Sequence, residues 1–182
     1  SAIVGSHATR AQGTIGGNVM NASPAMDTGG PLLCFGASAN LRSASGERAL
    51  PLEQLWIGPG ETAADPRELL VRVDVPAPAP TTGSAYVRLE YRRQMEIAVV
   101  GVTAVVRLKA GSVSDARGAI TAHAPPIRRV SEAEAALIGS DGGDEAIAEA
   151  ARAAASGSSP ITDVRSSAEY RSAMANVIAR RA

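Results

Sequence analysis

The stretch from Ala98 to Leu108 is almost continuously apolar and rich in valine. A segment of that composition reads as a strand buried in a core, because a strand with one wet face would alternate polar and apolar positions. Val113 to Ala122 pairs with it across the turn Lys109-Ala110-Gly111-Ser112, and Ser84 to Leu89 alternates around Tyr86 as a further strand. Three helices are expected after the sheet. Ser131-Glu132-Ala133-Glu134 has the spacing of a capping box and opens the first. The second is alanine-rich, from Asp144 to Ala155, with apolar positions recurring every three or four residues. The last runs from about Ser166 to Arg180, where terminal arginines suit the negative end of a helix dipole.

Upstream, Pro76-Ala77-Pro78-Ala79-Pro80-Thr81-Thr82-Gly83 is an extended, semi-rigid linker and the natural place for a boundary. Before it, Ala39 to Leu52 reads as a hairpin. Glu68 to Val75, apolar at 69, 71, 73 and 75, has the period of a half-buried strand. Leu32-Leu33-Cys34-Phe35 reads as a buried helix end. The expected architecture is α+β in two parts. Residues 1–80 carry a mixed sheet with helices, and residues 84–182 an antiparallel sheet of about three strands packed by a three-helix cluster.

Charge excludes several function classes. Eighteen basic residues balance eighteen acidic ones, so nothing points to nucleic acid or an anionic membrane. Aromatic residues are too few for a stacking surface. No apolar run is long enough for a membrane span. A single cysteine, Cys34, with His7 and His123, makes neither an internal disulfide nor a usual zinc site, and a cytoplasmic setting is the expectation. Seventeen arginines stand against the single Lys109, and alanine is abundant, a bias read as GC-rich coding rather than chemistry.

The chemistry concentrates between Gly13 and Asp27. Gly16-Gly17 lets backbone amides approach a ligand without Cβ obstruction, and so many glycines argue for tight turns with positive φ. Successive N–H groups in such a turn form an anion nest suited to phosphate, flanked here by Thr14 and Asn18. Ser23 adds a hydroxyl and Asp27 a carboxylate able to accept from sugar hydroxyls. The loop is neither a Walker A motif nor a Gly-x-Gly-x-x-Gly fingerprint. On the glycines alone a purely structural turn stands beside the ligand loop.

Thr14-Ile15-Gly16-Gly17-Asn18, followed by Asn21-Ala22-Ser23-Pro24-Ala25-x-Asp27-Thr28, resembles the second flavin-binding motif of the medium, FAD-binding subunit of molybdenum hydroxylases. That family includes aerobic carbon monoxide dehydrogenases and bacterial xanthine dehydrogenases. Leu55-x-x-Gly58-Pro59-Gly60, Glu68-Leu69-Leu70, the Tyr86-to-Gly101 segment and Asp163-Val164-Arg165-x-Ser167-Ala168-x-Tyr170-Arg171 follow in the family's order. The resemblance implies the second subdomain of a PCMH-type FAD-binding domain, then the C-terminal domain of the flavoprotein subunit. It implies that Thr14, Ile15, Gly16, Gly17 and Asn18 wrap the FAD pyrophosphate. Ser23 and Asp27 hold the pyrophosphate side or the ribityl and ribose hydroxyls. Leu70 and Arg88 lie near the flavin, and Ile97 approaches the isoalloxazine face. Ala11 stands where an Asn is often seen, and Asn18 where some members have Asp. The implied partners are a molybdenum-cofactor-bearing large subunit and a [2Fe-2S] small subunit. The family also has an earlier N-terminal FAD subdomain, with its own glycine-rich motif, and the expectation is that this chain is the C-terminal part of such a subunit.

The function so implied is electron transfer, from iron–sulfur clusters through FAD to an external acceptor, with no catalytic side chain required. Two other readings stand beside it: an assembly or interaction module without redox activity, and an independent flavin oxidase, for which neither a substrate cap nor a complete site is visible. Arg92-Arg93 beside Gln94-Met95-Glu96 is either an electrostatic contact or a solvated strand end. Cys34 reads as core, Trp56 as a packing anchor, and the histidines as structural or exposed.

Overall fold

The computed structural model describes residues 2–93, 95–122, 126–157 and 159–182; Gln94 and His123, weighed above, lie outside them. Three short helices come first: α1 (His7–Gln12), α2 (Ile15–Met20) and α3 (Gly29–Cys34). The hairpin β1 (Ser38–Ser43) and β2 (Gly46–Pro51) follows, then α4 (Leu52–Leu55), β3 (Trp56–Gly58), β4 (Glu61–Thr62) and β5 (Leu69–Asp74). The rest comprises β6 (Thr82–Leu89), β7 (Val100–Lys109), β8 (Ser112–Thr121), β9 (Arg128–Arg129), α5 (Ser131–Leu137), α6 (Asp144–Ser156) and α7 (Ala168–Ala179).

The first sheet has the order β2-β1-β5 and is antiparallel throughout, which corrects the mixed sheet expected for this part. Its central strand buries Ala39 and Leu41 completely, and α2 rests on β5. Trp56 is the packing anchor its sequence position suggested. It is buried, and its indole N–H donates to the Val19 carbonyl at 3.0 Å, fixing the C-terminal end of α2.

The second sheet, β6-β7-β8-β9, is also antiparallel and has four strands rather than three. It is covered on both faces, which is why β7 is apolar at successive positions. Val100 and Val102 of β7, with Ile120 of β8, pack under α5, α6 and α7. Val105 and Ala119 face the other way and join the core of the N-terminal part, where α3 lies flush against the sheet through Gly30, whose Cβ would sit 2.6 Å from the Thr103 hydroxyl. The β7–β8 turn places Ala110 and Gly111 at φ of 53° and 82°, the paired left-handed residues of a type I′ hairpin.

The capping box at Ser131 does not form. Val130 occupies the N-cap position without a side-chain cap, and Glu134 is drawn into the protein. Its carboxylate accepts from the Gly118 N–H at 2.9 Å and from two guanidinium nitrogens of Arg129 at 2.8 and 2.6 Å. A buried carboxylate gains more from a charged, two-point partner than from a helix-end amide.

Candidate functional site

The motif Gly13 to Asn18 is a helix start. Gly13 is extended, Thr14 is the N-cap of α2, and its hydroxyl accepts from the Gly17 N–H at 2.9 Å. Gly16 and Gly17 are therefore helical. The positive φ expected for this stretch falls on Ala22, at 47°, and on neither glycine. The anion nest is thus replaced by the first turn of a helix, where the leading N–H groups, those of Ile15 and Gly16, have no acceptor within the helix. A Cβ at Gly16 would sit 3.6 Å from Leu70 Cδ2, and one at Gly17 would sit 3.2 Å from the Thr14 hydroxyl. Leu70 thus backs the turn from β5.

Beside this turn is a cleft of about 370 Å³, lined among others by Thr9, Arg10, Thr14, Asn18, Asn21 and Thr28. Its walls carry three hydroxyls, two amides and a guanidinium. Arg10 is anchored by the Val4 and Gly5 carbonyls at 2.8 and 3.2 Å. The Thr28 hydroxyl donates to Asn18 Oδ1, which orients the amide. A polar anion fits such a lining: the leading amides and Arg10 supply positive charge, and glycines let the backbone be approached. Arg10 is a contributor that sequence reasoning missed, since a lone arginine in an arginine-rich chain carries no signal.

Ser23 and Ile97 lie elsewhere. Both line a second cleft, of about 310 Å³, whose wall also includes Ala25, Asp163, Arg165 and Arg171. The Ser23 hydroxyl accepts from the Ala25 N–H at 3.3 Å, closing the turn that carries it, and Ile97 is 45% exposed.

Asp27 and Arg88 face each other. Asp27 Oδ2 accepts from Arg88 at 2.6 Å and Oδ1 from the Tyr86 hydroxyl at 2.7 Å. The Arg88 and Asp27 side chains are only 5% and 10% exposed, and Arg88 is ion-paired on its other side with Glu90. Alternation along β6 explains this joint: Tyr86 and Arg88 share the face toward the motif, while Val87 and Leu89 pack toward the helices. Gly101, the partner of Arg88 in the ladder, leaves the room required. A Cβ there would be 2.6 Å from the Tyr86 hydroxyl oxygen. Burial and then the Asp27 charge push the Tyr86 hydroxyl above its ordinary pKa. Burial opposes the Arg88 charge, but the Asp27 hydrogen bond and charge outweigh it and raise its pKa. Sequence reasoning expected both Asp27 and Arg88 at a ligand; each already has partners within the chain, and Tyr86 and Glu90 were not singled out as site residues.

Cys34 is fully buried, and burial followed by the Glu134 charge pushes its thiol up to about 12. It is a core residue and no thiolate nucleophile. Among the described residues no three His, Cys, Asp or Glu side chains cluster as a metal site, and no helix is long and apolar enough to cross a membrane.

Comparison with known proteins covers both parts of the chain. Residues 2–78 match the family described as FAD binding domain in molybdopterin dehydrogenase, and residues 85–182 match the CO dehydrogenase flavoprotein C-terminal domain. The carbon monoxide dehydrogenase medium chain of Hydrogenophaga pseudoflava is 34% identical over 175 residues, covering 95% of this chain and 60% of its own. The 6-hydroxypseudooxynicotine dehydrogenase complex subunit alpha of Paenarthrobacter nicotinovorans is 34% identical over 173 residues, covering 94% of this chain and 58% of its own. The solved carbon monoxide dehydrogenase of H. pseudoflava superposes with a TM-score of 0.94 at 34% identity, over 99% of this chain and 62% of that one. The chain thus spans about 60% of the length of these relatives.

Proposed function

Because the chain belongs to the FAD-binding medium-subunit family of the molybdenum hydroxylases, we propose that it forms part of the flavin cradle of an electron-transfer oxidoreductase subunit. The observation that carries this reading is the first cleft, where unpaired leading amides of α2 meet a lining of hydroxyls, amides and Arg10. Thr14, Ile15, Gly16, Gly17 and Asn18 would bind the pyrophosphate there, mainly through backbone N–H groups. Leu70 holds that turn from behind. Ser23 and Ile97 both line the second cleft, which would take the ribityl and isoalloxazine end. Asp27 and Arg88 would act beneath that end, through the ion pair that fixes the motif to β6. The bound FAD supplies the redox chemistry, accepting electrons and passing them on. The side chains here bind it, orient it and exclude water, and none need act as a general acid or base.

The division into residues 1–80 and 84–182 belongs to the same reading. So do a molybdenum-cofactor large subunit and a [2Fe-2S] small subunit as partners. An N-terminal FAD subdomain, of the kind the resemblance implies, would cover the exposed Ile15 and the outward Leu69 and Val71 of β5. Titrating residues 1–182 with FAD by calorimetry, with and without that subdomain added in trans, tests the arrangement. Weak binding alone that strengthens on addition is expected. Submicromolar binding by residues 1–182 alone defeats the two-sided cradle, and no binding in either case defeats the flavin reading.

A further inference from the structure

Arg171 is the most deeply committed charge in the C-terminal part. It lies on α7, 3% exposed, more than forty residues in sequence from two of its partners. One terminal nitrogen donates to the Val99 carbonyl at 3.1 Å and to the Ala122 carbonyl; the other donates to Asp163 Oδ1 at 2.7 Å. Asp163 is itself fixed, since its Oδ1 accepts from the Arg165 and Ser166 N–H groups at 2.8 and 3.2 Å. Burial works against the Asp163 charge, but those amides and the guanidinium hold its pKa below the ordinary carboxylate value.

Ala122 is the key to what this arrangement does. It sits at φ 61°, a left-handed conformation that is unfavourable for alanine. It is held on both sides. Its carbonyl accepts from Arg171, and its N–H donates at 2.8 Å to the carbonyl of Pro24, the residue after Ser23. Val99, the other carbonyl that Arg171 grips, lies two residues beyond Ile97 and itself donates to the Leu89 carbonyl at 2.9 Å. One guanidinium therefore braces both walls of the second cleft: the Ser23 turn through Ala122, and the Ile97 segment through Val99.

We propose that Arg171, oriented by Asp163, is a positioning residue that sets the separation of Ser23 and Ile97 and so the fit of the second cleft to its ligand. This rests on the flavin reading above for the identity of that ligand. Arginine is required because its planar fork spans two carbonyls and a carboxylate at once. A lysine ammonium keeps the charge toward Asp163 but cannot bridge the same set.

The test uses Arg171→Lys and Asp163→Asn in the full-length FAD-loaded flavoprotein with its partner subunits, beside Arg129→Lys as a control. Arg129 holds Glu134 in an ion pair five residues apart that touches neither wall. Hydrogen exchange reports the brace without flavin, and the visible flavin spectrum and FAD dissociation constant report its consequence. In Arg171→Lys the Ala122 amide should lose protection about tenfold and FAD affinity should fall by a similar factor, with a shifted flavin band. Asp163→Asn should do the same to a smaller degree. Arg129→Lys should lower the melting temperature and leave all three signals unchanged. Unchanged Ala122 exchange in Arg171→Lys overturns the brace. Loosened Ala122 with unaltered flavin spectrum and affinity overturns its role at the cleft, as do flavin changes of equal size in Arg129→Lys. A wild-type protein that takes up no FAD defeats the flavin reading, and with it the purpose assigned here, while the exchange data still show whether the brace exists.

Discussion

The two clefts are built in opposite ways. The first draws its walls from residues 4 to 28, a stretch that folds over its own helix start. The second is assembled from residues 23–25, 97–98, 122 and 161–171, brought together by the sheet and by α7. A locally built cleft can lose its ligand while the rest of the protein stands. A cleft assembled at a distance shares its supports with the core, so damage to those supports should appear as lost stability. The Asp27–Tyr86–Arg88 joint lies on the second side of this divide, although Asp27 is only a few residues from the glycines.

Asp27→Ala should be the most costly single change, and chiefly to the fold. It leaves a 5%-exposed guanidinium with Glu90 alone and leaves the Tyr86 hydroxyl without its acceptor. Breaking one side of a buried pair costs about 3–5 kcal/mol, roughly 10 °C in melting temperature for a chain of this size. Replacing the pair together, as Asp27→Leu with Arg88→Met, should recover much of that loss, because neither charge is then stranded. Thermal unfolding of the apo protein decides. If Asp27→Ala melts with the wild type and only FAD binding falls, Asp27 is a ligand contact and belongs with the first cleft.

Gly17→Val tests the local side. The added branch meets the Thr14 hydroxyl and crowds the face from which pyrophosphate would reach the leading amides. Forfeiting two charge-assisted contacts at about 1.5 kcal/mol each weakens binding roughly a hundredfold. The apo melting temperature should move little, since valine in place of a helical glycine is near neutral in propensity. Flavin occupancy by absorbance together with apo melting separates the two clefts. A large melting shift in Gly17→Val would erase the distinction between them.

The same divide governs how much of the molecule could be read from its sequence. The stretch from Thr14 to Asn18 that lines part of the first cleft was legible as a motif because its residues are neighbours, and the motif order pointed to the family. Its backbone was not: paired glycines favour a turn, yet the Thr14 cap, the buried Val19 and Leu70 behind Gly16 make them the first turn of α2. Strands β5 to β8 were legible as strands from period and from apolar continuity, but the face of β5 was not: Leu69, Val71 and Val75 of its alternating set are exposed, while Leu70 and Val73 pack on the core, across a register shift in the pairing with β1. Glu134 misled in the other direction, as a local capping pattern was overridden by Arg129 and the Gly118 amide. Asp27 meets Tyr86 and Arg88 at separations of 59 and 61 residues, and Arg171 meets Val99 at 72. No local pattern encodes such pairings. The only trace is that Tyr86 and Arg88 stand two apart on one strand.

Alkaline pH should strain the distant joint before the local one. The Tyr86 hydroxyl is raised above its ordinary value near 10, so its neutral form stabilises the fold fully below pH 10, and that contribution is lost as pH rises. Cys34, raised from 9.0 to about 12, behaves likewise, with on the order of 3 kcal/mol lost by pH 11. Melting curves from pH 8 to 11 should therefore fall, less steeply in Tyr86→Phe and in Cys34→Ala than in the wild type. Equal slopes in all three would mean that neither group is as sheltered as its surroundings indicate.

Thr14→Ala should have the smallest effect, and it probes how the local cleft holds itself together. The hydroxyl contributes the one side-chain cap on α2, accepting from the Gly17 N–H at 2.9 Å. Loss of a threonine cap costs about 1 kcal/mol, and here the helix is only six residues long and carries two glycines. The cost should stay local, because Trp56 still grips the Val19 carbonyl and Leu70 still backs Gly16. The freed Gly17 amide then becomes available to an anion in the cleft, which offsets part of the lost order. FAD affinity should therefore drop only about fivefold, with apo melting lowered by roughly 3 °C. Hydrogen exchange should rise at Gly17 and Asn18 and stay unchanged at Ala122. Faster exchange at Ala122 in Thr14→Ala would show that the two clefts share one support after all.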